Sequence, residues 1–177
     1  VLLTLDGASV TAARILHGPD PHRHEKNWMP YAADGKLSFV YTCGPTVVMR
    51  VDPARGGPER IASHGAPNEA HAFRGGSQGI DVPGGVLFCI HEALDFGGPR
   101  RYLHRWVKFD AAWRLVDASR RFHFTDRDVE ICVGLARRGR ELIASFGVDD
   151  AAAALAVMDL DEVVASLEPA ADLGASA

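Results

Sequence analysis

Residues 35–51, Gly-Lys-Leu-Ser-Phe-Val-Tyr-Thr-Cys-Gly-Pro-Thr-Val-Val-Met-Arg-Val, are two apolar runs joined by a polar turn. The pattern returns at 85–109 as Gly-Val-Leu-Phe-Cys-Ile-His-Glu, a short insert, then Tyr102-Leu-His-Arg-Trp-Val-Lys-Phe109. A looser third copy follows Arg140: Glu141-Leu-Ile-Ala-Ser-Phe-Gly-Val-Asp-Asp150, then Ala154-Leu-Ala-Val-Met-Asp-Leu160. Val, Ile and aromatic residues suit a pleated, half-buried surface, and Gly, Pro and Asp make the turns between such runs. Strand–turn–strand units recurring at about 50 residues have the period of propeller blades, each burying its apolar face on the next. The expected class is all-β, a partial β-propeller of about three blades.

Working outward, residues 1–16 read as a hairpin turning at Asp6-Gly7, the end of a preceding blade. Blades are expected at about 25–52, 73–117 and 128–160, with 53–72 a long polar surface loop. Residues 161–168 read as a short helix capped by Asp161, and 169–177 as a disordered tail. The competing reading of 150–168 is one continuous Ala-rich helix, since Ala is the best helix former. Propellers need about four blades or more to close, so further blades are expected upstream. The chain starts at Val1, already in a strand pattern, which reads as a missing N-terminal part.

The 177 residues are 47% hydrophobic and 24% charged, enough for a sizeable core. A net charge of −4 speaks against a nucleic-acid partner held by broad electrostatics. No apolar run approaches the roughly 20 residues of a membrane span. Cys43, Cys89 and Cys132 lie 46 and 43 residues apart inside apolar runs, suggesting equivalent packing positions. There is no CxxC or local Cys/His cluster, so no metal site or cofactor is expected. Buried free thiols point to a reducing compartment and a cytoplasmic location.

Several constellations could carry chemistry. Glu25-Lys26-Asn27-Trp28 combines charged, amide and aromatic groups, the mixture a sugar site uses, though Trp28 could equally be packed inside. Phe73-Arg74-Gly75-Gly76-Ser77-Gln78-Gly79 sets glycines, which admit close backbone approach, beside an Arg suited to a carboxylate or phosphate. His91-Glu92 ends an apolar run abruptly; alternation sends the two to opposite faces, and His91 is the one expected inward. Asp149-Asp150 could accept a sugar hydroxyl or cap the Ala-rich segment. Glu130 opens the third copy in an apolar setting, as a catalytic carboxyl or a paired structural one. Arg100, Arg101, His104, Arg105 and Lys108 form a basic strand with Tyr102, Trp106 and Phe109, read as an outer strand with one wet face.

Taken in order, Lys26-Asn27 before Pro30, Gly35-Lys36 before Gly44-Pro45, Gly75-Gly76 before Ile90-His91-Glu92, and Ser145-Phe146-Gly147-Val148-Asp149-Asp150 form a recognisable series. The series resembles the C-terminal half of the five-bladed propeller family of β-mannoside phosphorylases and related mannosyl-active enzymes, over residues 25–160. The chain departs from that pattern at Gly44 (Arg in the family), Glu92 (Gly), and Ser145 and Phe146 (Tyr). The resemblance implies a five-bladed propeller whose C-terminal part is this chain. It further implies inverting glycosyl transfer from a manno-oligosaccharide or glycoside to phosphate or water. Lys26 and His91 would bind inorganic phosphate as co-substrate, and Asp150 would contact sugar. Arg74 joins the anion cluster as our addition; Trp28, Asn27 and Glu25 are the further sugar candidates. The general acid would lie upstream, with Glu130 the local candidate. A glycosyltransferase on the same scaffold and a non-catalytic propeller module are the alternatives.

Overall fold

A computed structural model describes residues 1–19, 22, 26–51, 57–94, 101–126 and 129–174. Strands β1 (Leu2–Asp6) and β2 (Ser9–Arg14) form a hairpin. Next, β3 (Met29–Ala33), β4 (Lys36–Thr42), β5 (Thr46–Val51) and β6 (Pro58–His64) make a four-stranded meander in chain order. A 3₁₀ turn at Asn68–Ala72 leads to β7 (Arg74–Gly75) and β8 (Ile80–Val82), both paired with β9 (Gly85–Leu94). That sheet continues through β10 (Arg101–Phe109) and β11 (Leu115–Ala118). The third meander is β12 (Glu130–Arg138), β13 (Glu141–Val148) and β14 (Ala152–Asp159). Helix α1 (Leu160–Ala165) follows, and β15 (Glu168–Pro169) returns to pair with β11. The chain is all-β in character, with several antiparallel sheets.

Turn chemistry fixes these registers. Asp34-Gly35, at φ 51° and 68°, form the two-residue loop between β3 and β4. Asp149-Asp150, at φ 53° and 52°, are the central residues of the turn closed by the Ala151 N–H on the Val148 carbonyl, in the three-residue loop between β13 and β14. Both central residues of such a turn need positive φ, which Gly, Asn and Asp tolerate best. Alternation along β9 then divides the interior in two. Phe88 and Ile90 join Met29, Val40, Val48, Val107 and Phe109 in a core shared with the first meander. Leu87 and Cys89 face the other way, onto Trp106, Cys132, Leu135 and Leu142. Burying a side chain such as Leu or Phe contributes about 1.5–3 kcal/mol, so these two layers hold the three larger sheets together.

The leading strands of the three larger sheets meet at one seam. The Gly79 N–H donates to the Pro30 carbonyl at 2.8 Å, and Tyr31 Oη donates to Asp81 Oδ1 at 2.5 Å. On the other side, the Gln78 side-chain amide donates to the Leu135 carbonyl. A Cβ at Gly76 would lie 2.7 Å from the carbonyl oxygens of both Cys89 and Cys132, and one at Gly75 would collide with Asn27 and Met29. Gly75 and Gly76 therefore admit neighbouring protein backbone, and Gly79 the side chains of Val86 and Phe88.

Three expectations need correction, and the competing helical reading of 150–168 falls away. Residues 53–72 are not all loop, because Pro58–His64 form edge strand β6 and Asn68–Ala72 a 3₁₀ turn. A Pro at the start of an edge strand costs no ladder hydrogen bond, and a half-wet edge carries polar residues that read as loop. The continuous helix over 150–168 is not formed; 152–159 pair with β13 at every position, so sheet packing overrides the helix preference of Ala. The cap of α1 is Asp159, not Asp161: its side chain accepts from the N–H groups of Asp161 and Glu162. The tail is ordered where described, since β15 pairs with β11 and Ala170 is buried. Among the described residues no helix is long and apolar enough to cross a membrane.

Candidate functional site

The Arg74–His91 pair on β7 and β9 is the centre of the basic cluster. These residues are directly opposed in the antiparallel register, and His104 opposes His91 from β10 on its other side. Cross-strand partners project from the same face of a sheet, so Arg74, His91 and His104 form one row. His91 is 6% exposed, lies against the Tyr102 ring at 5.1 Å, and leaves its Nδ1 without a hydrogen-bond partner. Burial pushes its pKa down to about 4, and the charges of Arg74 and Lys26 push the same way. The imidazole is therefore neutral in the ligand-free protein at ordinary pH. The Arg74 guanidinium donates to the carbonyls of His71 at 2.9 Å and Phe73 at 3.2 Å, which fixes the fork near the chain surface.

Lys26, Asn27 and Arg74 line a small pocket of ≈ 40 Å³ together with Met29, Thr42 and Phe73. Asn27, at φ 63°, bends the chain into β3. Gly44 stands nearby at the Gly44–Pro45 cis bond, where a Cβ would come within 2.5 Å of the Ala70 and His71 backbone. That contact excludes the arginine of the family pattern from position 44 on this backbone. Larger hollows lie away from the basic row. One, ≈ 370 Å³, opens between the first hairpin and the first meander, lined by Arg14 and Leu37 among others. Another, ≈ 420 Å³, lies beside β11 and the C-terminal segment.

The remaining sequence candidates fall elsewhere. Trp28 packs edge-on against Phe39 and Tyr41, each at 5.5 Å between ring centres, so its rings stay with the first meander. Glu25 lies outside the described residues. Asp150 sits at the exposed β13–β14 tip; it caps no helix, because a strand follows. Glu130 is fully buried, and its carboxylate accepts from the N–H groups of Phe124 at 2.7 Å and Thr125 at 2.8 Å and from the Thr125 hydroxyl. Its described bonds hold the 122–125 loop and leave no exposed carboxyl facing a cleft. No group of three or more His, Cys, Asp or Glu among the described residues could hold a metal.

Alternation held at His91-Glu92: the carboxylate points away from the basic row, into a network that the sequence reading missed. Glu92 is 1% exposed and pairs with Arg105 Nε at 2.5 Å and with Arg121 Nη2 at 2.6 Å. Arg105 also donates to the Ser119 carbonyl at 2.6 Å and stands over the Phe73 ring at 5.8 Å. The wet outer strand expected at 101–110 is thus an interior one: β10 lies between β9 and β11, His104 is fully buried, and Lys108 pairs with Asp117. A readable signal existed. Trp106, Val107 and Phe109 leave no face of β10 free of large apolar groups.

No family model matches the chain, and no curated protein matches it in sequence. Among solved structures it is similar to a β-1,2-mannobiose phosphorylase from Listeria innocua in complex with β-1,2-mannobiose. That match has a TM-score of 0.60 and 16% identity, and covers 80% of this chain and 46% of the other. The likeness is one of fold. A protein described as a putative glycoside hydrolase from Bacteroides ovatus matches with a TM-score of 0.50 and 13% identity, over 78% of this chain and 49% of that one. The chain spans about half the length of these solved structures.

Proposed function

We propose that this chain forms about three blades of a five-bladed β-propeller in a carbohydrate-active enzyme, and that Lys26, Arg74 and His91 hold an anionic co-substrate. The observation that carries the reading is that these three residues, 65 positions apart from first to last, share one neighbourhood: Arg74 opposes His91 in the β7–β9 register and lines one small pocket with Lys26. Two cations beside a neutral ring with a free nitrogen suit a tetrahedral oxyanion. The reaction is inverting glycosyl transfer from a manno-oligosaccharide to phosphate. One carboxylic acid elsewhere in the protein protonates the leaving oxygen, and the anion attacks the opposite face of the sugar. Lys26 and Arg74 orient the nucleophile and offset its charge, while His91 accepts from or donates to one of its oxygens. Asp150, on the hairpin tip beyond the Glu130–Val148 pair, is the proposed sugar contact. The fold likeness to a mannobiose phosphorylase supports the choice of sugar class. Glu92 gives no ground for the glycosyltransferase alternative, because its carboxylate is engaged by Arg105 and Arg121.

The test is release of mannose 1-phosphate from β-1,2-mannobiose and other manno-oligosaccharides, with and without inorganic phosphate. Lys26→Ala and His91→Ala should each weaken phosphate use roughly ten- to a hundredfold, the usual cost of a lost charge-assisted contact, and leave sugar binding nearly unchanged. Asp150→Ala should do the reverse. Phosphate-independent hydrolysis that neither cluster variant alters, or sugar binding without turnover, would refute the phosphorylase reading.

A further inference from the structure

The ring of His91 is enclosed by groups that can carry positive charge. Arg74 opposes it from β7, His104 from β10, and Lys26 acts on it from the segment before β3. Tyr102 covers one side as a ring contact. The nearby carboxylates are turned elsewhere: Glu92 leaves from the opposite face of β9 to Arg105 and Arg121, and Glu130 serves the 122–125 loop. Behind the row, His104 accepts from the Cys132 N–H at 3.3 Å through Nε2, and its Nδ1 has no partner. Glu130 and His123 act on His104 with opposite sign, and burial holds that ring neutral as well, its pKa down to about 4. Two buried imidazoles thus stand side by side, each with Nδ1 unpartnered, next to two permanent cations. Among the described residues, a proton on His91 has no nearby counter-charge until an anion arrives.

We propose that anion binding at Lys26 and Arg74 is coupled to uptake of a proton by His91. The inference rests on the anion-site reading above and adds to it the protonation state in which the site closes on its ligand. A dianion within about 4–6 Å stabilises the protonated ring, by about a hundredfold in proton affinity. The second positive group then forms only when the ligand is present to neutralise it. The device discriminates by charge, since a neutral sugar hydroxyl in the same place gives His91 no reason to take a proton. It also makes anion affinity rise as pH falls, because the bound state holds more protons than the free one.

Sulfate is the suitable probe, since it keeps its charge across the range where phosphate itself titrates. Calorimetric titration with sulfate at pH 7 and pH 5, in two buffers of different ionisation enthalpy, reads affinity and proton uptake together. Affinity should rise about tenfold from pH 7 to pH 5, with most of a proton taken up per sulfate at pH 5. His91→Gln should bind weakly with equal affinity at both values, whereas His104→Gln should keep the rise. Should the buried substitution unfold the chain, imidazole NMR of the wild type gives a second reading: one histidine midpoint must move upward when sulfate is added. Sulfate binding of equal affinity at pH 7 and 5, or a rise retained in His91→Gln, overturns the coupling and leaves the anion site standing. Absence of sulfate and phosphate binding at either pH overturns the anion site itself.

Discussion

Replacing Glu92 by glutamine keeps the shape of the side chain and removes the charge that two arginines share. Glu92 is 1% exposed and its partner Arg105 11%, so this half of the network is desolvated and the uncompensated guanidinium has little water to turn to. Breaking such a buried pair costs about 3–5 kcal/mol. Arg121 is 44% exposed, so its half is screened and adds about 0–1 kcal/mol. The amide oxygen of Gln still accepts one hydrogen bond, and the Ser119 carbonyl still takes one from Arg105, which puts the expected loss near the lower end, about 3 kcal/mol. For a chain of 177 residues, at about 2–4 °C per kcal/mol, that is a fall of roughly 6–12 °C in Tm. Urea and thermal unfolding followed by circular dichroism measure it. Arg121→Ala should lower Tm by only a few degrees, because Glu92 keeps Arg105. Anion affinity should be unchanged in Glu92→Gln, because residue 92 projects from the face opposite His91. A Tm within 2 °C of the wild type would refute the premise that the pair is desolvated.

Two further outcomes follow from burial. His91 and His104 are held near pKa 4 in the folded chain and return to about 6.5 on unfolding, so the unfolded state binds more protons between these values. Their contribution is fully present above about pH 6.5 and is lost as pH falls towards 4, by up to about 3 kcal/mol for each ring. Melting from pH 7 to pH 4.5 should show this decline, smaller in His104→Gln; a flat profile would contradict neutral, enclosed rings. Gly76→Ala puts a Cβ 2.7 Å from the Cys89 and Cys132 carbonyl oxygens, whereas Gly65→Ala meets nothing within 4 Å. The first should lose about 1–3 kcal/mol in denaturant melts and the second stay within about 0.5 kcal/mol; equal effects would mean the seam at 75–79 is looser than its backbone contacts indicate.

The repeat of strand–turn–strand units was legible because each unit carries its own turn chemistry. Asp34-Gly35 and Gly44-Pro45 mark the limits of β4 without any tertiary knowledge. Strands β6 and β15 were not legible. Their pairing with β5 and β11 depends on partners elsewhere in the chain, and edge strands carry the polar residues that otherwise mark loops. Ala152–Asp159 was legible only from its place in the third copy, since its intrinsic preference is helical and the neighbour β13 makes it a strand.

The same distinction governs the candidate site residues. Period-2 alternation is local, so it separates His91 from Glu92 and sends them to different faces with no further information. What each meets on its face is not local. Arg74 reaches His91 through an antiparallel register 17 residues apart, and Arg121 reaches Glu92 across 29. Gly75 and Gly76 illustrate how a composition signal misleads when its partner is unknown: absent side chains announce that something comes close, and here that something is the carbonyl oxygens of Asn27, Cys89 and Cys132. Those contacts pin β7 between β3 and β12. They thereby carry Arg74 to His91 and towards the segment holding Lys26, so Gly75 and Gly76 position the basic row.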